Sequence, residues 1–363
     1  MTATTLPLGE AGAGAGAGPS AAADGPARGR RRGGRARVLL RRLGFYLGTA
    51  AVAITLNFVI PRLMPGDPAS VILNKLSQRA QVTPATEKSI RALFGVPDQN
   101  LWQQYLHYLS QLAHLDFGVS TAYFPQPVSE LIAQGLPWTL GLVSLTTVLA
   151  FLLGTGLGIV SGARPGSRLD SVLAPLATFL GSMPYFWVAT MLLLLLSVNL
   201  PVFPSQNGYD LNLEPGFSLA FVTSVIAHGF LPAATIIISS VGGWLLGMRN
   251  MMITTVAEDY VSLAEAKGLG RGRILLAYAA RNAMLPQVAG LAISIGTVVG
   301  GSLLAEAVFA YPGIGYLFYQ AVVNLDYPLM QALFLIISLS VLVANFIADS
   351  VYVLLDPRTR EDA

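Results

Sequence analysis

Six long apolar segments constrain this chain more than any other feature of its sequence. They cover positions 43–64, 137–162, 171–199, 217–247, 285–305 and 330–355. Each reaches or exceeds ~20 residues, the length that a helix needs to cross the hydrocarbon core of a bilayer. Only 11% of the 363 residues are charged, against ~25% in a typical soluble domain. The sequence therefore predicts an all-α, polytopic membrane protein with six transmembrane helices.

The composition also excludes several kinds of chemistry. The chain has no cysteine, which removes disulfides, thiol nucleophiles and thiolate metal sites together. Its three histidines, His107, His114 and His228, are too few and too scattered for a metal centre. None of the three lysines follows a glycine, as the lysine of a phosphate-binding Walker A loop must. We expect no metal site, no bound cofactor and no catalytic residue in this chain.

The basic residues predict the orientation in the membrane. If the N-terminus is cytoplasmic, 17 of the 22 lysines and arginines lie on the cytoplasmic side. The positive-inside rule then places both termini in the cytoplasm. The other five lie within or beside the segment 65–136, which is long enough to cross regardless of its charge. The net charge of +3 therefore reflects topology, and we expect no nucleic-acid partner.

The chain divides into four parts. Residues 1–37 form an Ala/Gly/Arg-rich segment that we expect to be a disordered cytoplasmic tail, because it has too little apolar surface to fold. Residues 38–136 hold the first transmembrane helix and an exterior domain with two amphipathic helices. Residues 137–356 hold the other five transmembrane helices, and residues 357–363 form a cytoplasmic C-terminus.

The loop 248–284, between the fourth and fifth apolar segments, carries the most informative pattern. Thr254 or Thr255 can cap a helix whose small residues, Ala264, Ala266 and Gly268, would let another protein approach closely. A glycine-rich break over 268–272 precedes a second predicted amphipathic helix at 273–284. The alternative is an interfacial helix that is basic because it faces anionic lipid.

This loop and several other motifs resemble those of the permease subunits of binding-protein-dependent ABC importers, in the dipeptide/oligopeptide/nickel branch. The loop is similar to the EAA motif of that superfamily, through AEAKGL at 264–269 and RNAMLP at 281–286. Further motifs match in order: PGDP at 65–68, LFGVPDQNLWQQYLHYLSQLAHLDFGVS at 93–120, LPWTL at 136–140, AEAVFAYPGIGYLFYQAVVNLDYPLMQA at 305–332 and DPRTR at 356–360. The sequence departs from the branch at Gly135, Glu265 and Tyr278, where arginine, a basic residue and histidine are usual.

The resemblance implies a coupling helix that docks on a separate ATPase subunit. Carried over by position, that helix comprises Ser262, Leu263, Ala264, Glu265, Ala266, Lys267 and Gly268. It also implies four protein partners: a second homologous permease, two ATPase subunits that hold ATP and Mg, and an extracellular solute-binding protein. In this reading the chain lies in the cell membrane and performs no chemistry itself.

Two further sets of residues are candidates for the transport path. An outer gate, or a contact for the binding protein, would comprise Glu306, Tyr311, Pro312, Gly313 and Gly315, although a plain turn between transmembrane helices explains the same pattern. Polar residues inside the apolar segments would line the path: Asn57, Ser239, Ser294, Thr297 and Asn345. Hydrogen bonds between helices are the alternative role for these five residues. Asp349, near the end of the last segment, could instead pair with an arginine.

Three other classes of protein remain open on the sequence alone. An ion-coupled secondary transporter would need acidic residues near the middle of the membrane. An intramembrane hydrolase would need a nucleophile and a base, and Ser224 with His228 is the one serine–histidine pair within a segment. A membrane scaffold without transport is the third. For a permease we expect peptides as substrate, with nickel complexes and oligosaccharides as alternatives.

Overall fold

The computed structural model describes residues 33–63, 83–94, 100–296 and 303–355, together with residues 73 and 77. Most of the described residues are helical. The helices are α1 Gly33–Leu63, α2 Pro84–Phe94, α3 Leu101–Ala113, α4 Val128–Gly162, α5 Arg168–Ser182, α6 Tyr185–Leu193, α7 Leu219–Val256, α8 Asp259–Ala266, α9 Arg281–Gly296, α10 Leu303–Val308, α11 Ile314–Val323 and α12 Tyr327–Leu355. Two π-helices, Leu194–Asn199 and Ile274–Ala280, continue α6 and precede α9.

Four of the described helices are long and apolar enough to cross a membrane. They are Leu40–Ile60 within α1, the whole of α4, the whole of α7, and Tyr327–Ile347 within α12. The bent pair of α5 with α6 and its π-helical continuation makes a fifth candidate. The all-α polytopic fold is therefore as predicted. The count of six stays a prediction, because the predicted fifth span, 285–305, runs through residues 297–302, outside the described residues.

The predicted span 171–199 is not one straight helix, and this corrects the sequence analysis. Its two halves, α5 and α6, meet at an angle of 95°. Met183, between them, has an extended backbone with ψ of 130°. Pro184 explains the break, since a proline disfavours the helical conformation of the residue before it. A long apolar run thus folds as a broken span or a re-entrant segment.

A stripe of glycines brings α4 and α7 into close contact. Gly154, Gly158 and Gly162 recur every four residues, on one face of α4. A Cβ atom at each would lie only 2.5–2.6 Å from atoms of α7, including the Leu245 carbonyl oxygen. The sequence GTGLGIVSG at 154–162, which could suggest a nucleotide-binding loop, therefore serves close helix packing.

A buried ion pair fastens the start of α5 to the same two helices. The Asp170 carboxylate accepts hydrogen bonds from Arg249 Nε on α7 at 2.5 Å and from Arg249 Nη2 at 2.8 Å. It also accepts from Ser161 Oγ on α4 at 2.5 Å and from the Gly166 backbone N–H at 2.9 Å. The side chain of Asp170 is 4% exposed. A buried carboxylate needs this full set of donors, and the pair joins α4, α5 and α7.

Helices α1 and α12 pack side by side and are linked near both ends. At one end Arg42 forms an ion pair with Asp349 at 3.8 Å, and Tyr46 Oη donates to Asp349 Oδ2 at 2.8 Å. Near the other end the Asn57 side chain donates to the Gln331 carbonyl oxygen at 2.9 Å. Asp349 therefore has the arginine partner that its structural interpretation requires.

The segment that follows α1 holds the two predicted amphipathic helices, α2 and α3. Residues 64–72, which include the PGDP motif, lie outside the described residues, as do the predicted tail up to residue 32 and the C-terminal residues 356–363. Helix α4 begins at Val128, nine residues before the predicted second span, and continues through Pro137 without a break.

Candidate functional sites

The predicted coupling helix is a distinct element, α8, that follows directly on the long helix α7. Thr254 and Thr255 do not cap it, which corrects the sequence analysis. Both lie in the last turn of α7, where their hydroxyls bond to the Met251 carbonyl oxygen of the same helix. The chain turns at Ala257 and Glu258, and α8 starts at Asp259 with an acidic first turn, which the helix dipole favours.

One face of α8 packs on the chain's own loop. Val261 and Ala264 are buried with Ile274, and Leu269 and Tyr278 close the cluster. The Asn282 amide donates to Tyr260 Oη at 2.9 Å, which ties the first turn of α8 to the start of α9. Helix α8 is therefore held firmly against the segment that enters α9.

The end of α8 is a Schellman motif with glycine at the left-handed position. Gly268 has φ of +73°, its N–H bonds to the Glu265 carbonyl oxygen at 2.9 Å, and the Leu269 N–H bonds to the Ala264 carbonyl oxygen at 3.3 Å. Glycine adopts this conformation without the steric penalty that a Cβ atom brings. Gly268 thus ends the helix, and Leu269 turns back into the buried cluster.

The other face of α8 is exposed in the described part of the chain. Of the seven residues predicted to contact an ATPase, six are exposed: Ser262, Leu263, Glu265, Ala266, Lys267 and Gly268. Ala264 is 3% exposed and packs inward, so it supports the helix from beneath and does not contribute to this surface. Leu263 is 56% exposed, an apolar side chain at the centre of a polar face. We call these six residues the α8 surface.

The predicted second helix of this loop, 273–284, is not a separate element. A short helical turn at Arg271–Arg273 leads into the π-helix Ile274–Ala280 and then, without a break, into α9. Residues 267–270 separate α8 from this continuous segment, and Gly270, extended with ψ of 138°, immediately precedes it. The segment that supports α8 is therefore the beginning of α9 itself.

A second site forms where α10 and α11 meet, around the carboxylate of Glu306. Glu306 is 0% exposed, and its carboxylate accepts from Thr139 Oγ1 on α4 at 3.0 Å and from the Gly315 backbone N–H at 2.8 Å. Thr139 in turn accepts from the Ile314 backbone N–H at 2.8 Å. The carboxylate therefore joins α4, α10 and the first turn of α11.

The two glycines of this turn are required by space. A Cβ atom on Gly313 would collide with the carboxylate of Glu306 and the hydroxyl of Thr139. A Cβ atom on Gly315 would lie 2.6 Å from Leu303 Cα. Gly313 has φ of −96°, so its backbone needs no special freedom. We call Thr139, Glu306, Gly313 and Gly315 the Glu306 cluster.

Aromatic residues cover the adjoining turn. Trp138 stacks on Tyr209 at 5.8 Å between ring centroids and meets the edge of Tyr311 at 5.7 Å. Asn207 of the connection 200–218 donates its N–H to the Phe309 carbonyl oxygen at 3.1 Å. In the same connection Asp210 accepts from the backbone and the side chain of Asn212, which lowers the pKa of its carboxyl group.

The structure thus brings the predicted outer-gate residues together, but in the interior. Glu306, Tyr311, Gly313 and Gly315 are buried and Pro312 is half-buried. They present little surface to a binding protein in this conformation. The motif is more than a plain turn, because its carboxylate is the point to which three helices attach.

The predicted path residues lie on separate helices. Asn57 is 3% exposed and its amide is bonded to Tyr108 Oη and the Gln331 carbonyl oxygen, which agrees with the hydrogen-bonding role. Ser239, on α7, has a buried hydroxyl with no hydrogen-bond partner among the described residues. Ser294 and Asn345 are half-buried on α9 and α12, and Thr297 lies outside the described residues.

Sequence reasoning missed two buried polar residues and one half-buried arginine. Thr139 stands within the LPWTL motif, and Asp170 and Arg249 stand at the ends of apolar segments. A further buried carboxylate, that of Asp326, accepts from the Leu329 N–H at 3.2 Å at the start of α12 and also accepts from Ser120 Oγ. A charged or hydroxyl residue inside or beside an apolar run was the signal available for each.

Comparison with known proteins gives a consistent result. Residues 154–361 match the family described as binding-protein-dependent transport system inner membrane component. The oligopeptide transport system permease protein AppB of Bacillus subtilis is 34% identical over 304 residues, which cover 84% of this chain and 92% of that protein. The dipeptide transport system permease protein DppB of Escherichia coli is 31% identical over 339 residues, 89% and 98% of the two chains. A putative peptide permease of Brucella suis is 35% identical over 324 residues, 89% and 99% of the two chains.

The helical bundle, the α8 surface and these matches define a class: the multi-pass permease subunits of ABC importers, which work with a binding protein and with ATPase activity on separate subunits. Within that class, the chain belongs to the family of binding-protein-dependent transport system inner membrane components, in the branch of the peptide permeases. This membership decides against the ion-coupled transporter, the intramembrane hydrolase and the scaffold.

Proposed function

We propose that the chain pairs with a second, homologous permease to form a path for peptides. An extracellular solute-binding protein delivers the peptide, and two ATPase subunits, which hold ATP and Mg, drive its transport. Both termini lie in the cytoplasm, so the α8 surface faces the ATPases and the Glu306 cluster lies toward the outer side. Nickel complexes and oligosaccharides are the alternative substrates.

The observation that carries this proposal is the construction of α8. A short helix that is anchored on one face and exposed on the other suits contact with a second protein. Its anchors, Val261 and Ala264, pack on the segment that enters α9, while α7 leads directly into its first turn. A force on the α8 surface would therefore reach two long helices at once. The names of the relatives, an oligopeptide permease and a dipeptide permease, support peptides as the substrate class.

The assembly can be tested by purifying the tagged chain from its native membrane in mild detergent. We expect one or two ATPases and a second permease to co-purify, and mass spectrometry identifies them. Reconstitution of this complex with its binding protein should give peptide uptake that requires ATP. Uptake without ATP by the chain alone would contradict the proposal, and ATP-driven uptake of a nickel complex or a sugar but not of peptides would change the substrate class.

The role of α8 can be tested separately with a matched pair of leucines. Leu263→Asp places a charge on the α8 surface, and Leu211→Asp does the same in the connection 200–218, where Leu211 is 72% exposed. We expect Leu263→Asp to abolish ATPase co-purification and uptake while leaving membrane insertion intact, and Leu211→Asp to retain both. Equal behaviour of the two variants would place the coupling surface elsewhere.

Gly268→Trp is a harsher version of the same test. The indole would stand beside the α8 surface, because a Cβ atom at Gly268 meets no atom within 4 Å. It should block docking and leave a membrane-inserted protein without uptake. Since Gly268 has a positive φ, the variant also strains the backbone, so its thermal unfolding must be compared with that of Gly268→Asn.

A further inference from the structure

Helix α3 has three faces of different character, and only one of them packs on the rest of the described chain. Gln104, Tyr105 and Tyr108 face α1. A second face carries exposed polar residues: Gln103, His107 and Ser110. The third face carries exposed apolar residues, namely Trp102, Leu106 and Ala113. Trp102 is 63% exposed and Leu106 is 48% exposed. Positions four residues apart share a face of a helix, so this third face is a continuous apolar stripe.

The contacts between α3 and α1 define the depth of that stripe relative to the membrane boundary. Arg42 and Arg62 flank an uncharged stretch of α1. The two arginines are 20 positions apart, which corresponds to about 30 Å of helix, the thickness of the hydrocarbon core. Arg62 Nε donates to the Gln104 side chain at 3.3 Å. Helix α3 therefore begins at the level where α1 leaves the hydrocarbon.

Other contacts carry α3 below that level. Tyr105 Oη bonds to Thr55 Oγ1 at 2.8 Å, and Asn57 donates to Tyr108 Oη at 3.1 Å. The ring of Phe58 meets both tyrosine rings, at 5.1 and 5.5 Å between centroids. Thr55 lies about 10 Å before Arg62 along the axis of α1, from a rise of 1.5 Å per residue. The packed face of α3 thus reaches inside the membrane boundary.

The neighbouring helix α1 also exposes apolar side chains. On α1, beside these contacts, Leu56 is 50% exposed and Ile60 is 46% exposed, within a helix apolar enough to span the membrane. A tryptophan next to tyrosines is typical of the membrane–water interface. An amphipathic helix with one such face lies in the plane of the interface, with its apolar side about 5–10 Å deep.

We propose that α3 is an interfacial helix and that the bilayer itself is the partner of its Trp102–Leu106–Ala113 face. The polar face, with Gln103 and His107, points to water. The predicted exterior domain, 65–136, is then not surrounded by water along its whole length. Its helix α3 is anchored in the outer leaflet beside α1. This anchoring would hold the outer segment at a fixed height above the transmembrane helices, whatever solute is transported.

The absence of native cysteine makes a direct test possible. Single substitutions Trp102→Cys and Leu106→Cys report the apolar face, and Gln103→Cys and His107→Cys report the polar face of the same helix. Each is labelled with a nitroxide in the full chain, assembled with its partner subunits and reconstituted in phospholipid vesicles. Electron paramagnetic resonance then compares collisions with oxygen, which concentrates in lipid, and with a water-soluble nickel chelate. Leu56→Cys on α1 provides the lipid-exposed reference.

We expect the ratio of oxygen to nickel collisions at positions 102 and 106 to approach that at position 56 and to exceed that at positions 103 and 107. Equal, water-like ratios at all four positions would overturn the proposal. Low collision rates with both reagents at 102 and 106 would also overturn it, since a protein surface would then cover the stripe. If Trp102→Cys fails to insert, Ala113→Cys reports the same face.

Discussion

The Glu306 cluster and the α8 surface both contain residues predicted from glycine-containing motifs, yet they are built in opposite ways. In the Glu306 cluster the motif residues point inward, and a buried carboxylate receives donors from two other elements. On α8 the motif residues point outward, and one alanine among them is buried. The difference indicates that the Glu306 motif fixes contacts within the chain, whereas the α8 motif leaves an exposed surface.

The two motif glycines make this contrast testable, because each is required for a different reason. Gly313 has an ordinary backbone but no room for a Cβ atom, while Gly268 has room for a Cβ atom but a left-handed backbone. Four substitutions can separate the effects of packing, hydrogen bonding, backbone strain and surface contact. We expect them to lower the free energy of unfolding by decreasing amounts, in that order.

Gly313→Ala should have the largest effect. The new methyl group would push apart the Glu306 carboxylate and the Thr139 hydroxyl, so overpacking and lost hydrogen bonds add together. We expect destabilisation of about 3 kcal/mol or more, at the upper end of the range for overpacked cores. Thermal unfolding in detergent measures it. Gly216→Ala is the control, because a Cβ atom there meets nothing within 4 Å, and equal melting of the two variants would contradict the packing argument.

Glu306→Ala should come next. It leaves the Gly315 N–H and the Thr139 hydroxyl without their acceptor in a buried site, at a cost of about 1–3 kcal/mol for an unsatisfied group. Glu306→Gln keeps one oxygen acceptor and should lose less. The same unfolding measurement compares them. If the glutamine variant is as unstable as the alanine variant, the hydrogen bonds are not what holds the cluster together.

Gly268→Ala should have a smaller and more local effect. A residue with a Cβ atom pays about 1–2 kcal/mol to adopt the left-handed conformation. Hydrogen exchange of the α8 amides should therefore speed up, with little change in the melting of the bundle. Gly270→Ala is a matched control, since Gly270 has φ of −62° and equal space around it. Faster exchange in both variants would rule out the left-handed backbone as the cause.

Leu263→Ser should change stability least. Its side chain is exposed, and substitutions at such positions usually shift the free energy of unfolding by no more than about 0.5 kcal/mol. Any loss of ATPase co-purification in this variant then reports contact with the partner. A large drop in melting temperature would instead show that Leu263 supports the fold, and the distinction between the two motifs would weaken.

Much of the fold follows from the sequence because lipid imposes a simple rule. Apolar runs of sufficient length become helices, and the runs at 43–64, 137–162, 217–247 and 330–355 lie largely within α1, α4, α7 and α12. The break at Met183 was not predicted, although Pro184 was visible, because a proline can also be accommodated in a continuous membrane helix. Pro232, inside α7, is an example from this chain.

The sites were predicted less completely than the fold. The position of α8 followed from the resemblance of its motif to the EAA loop, but the burial of Ala264 depends on Ile274, which a linear motif does not reveal. The partner of Glu306 is Thr139, 167 positions earlier in the chain. Such pairs arise from the packing of distant helices, and a single sequence holds no periodic signal for them.

The glycine stripe between α4 and α7 has a mechanical consequence. Two helices whose backbones touch at Gly154, Gly158 and Gly162 have no layer of side chains that could shear, and Asp170 fastens α5 to the same pair. These three helices should therefore move as one rigid body when the chain changes shape. A passage for solute would then open at other helix interfaces, beside α9 and α12, or at the interface with a neighbouring subunit.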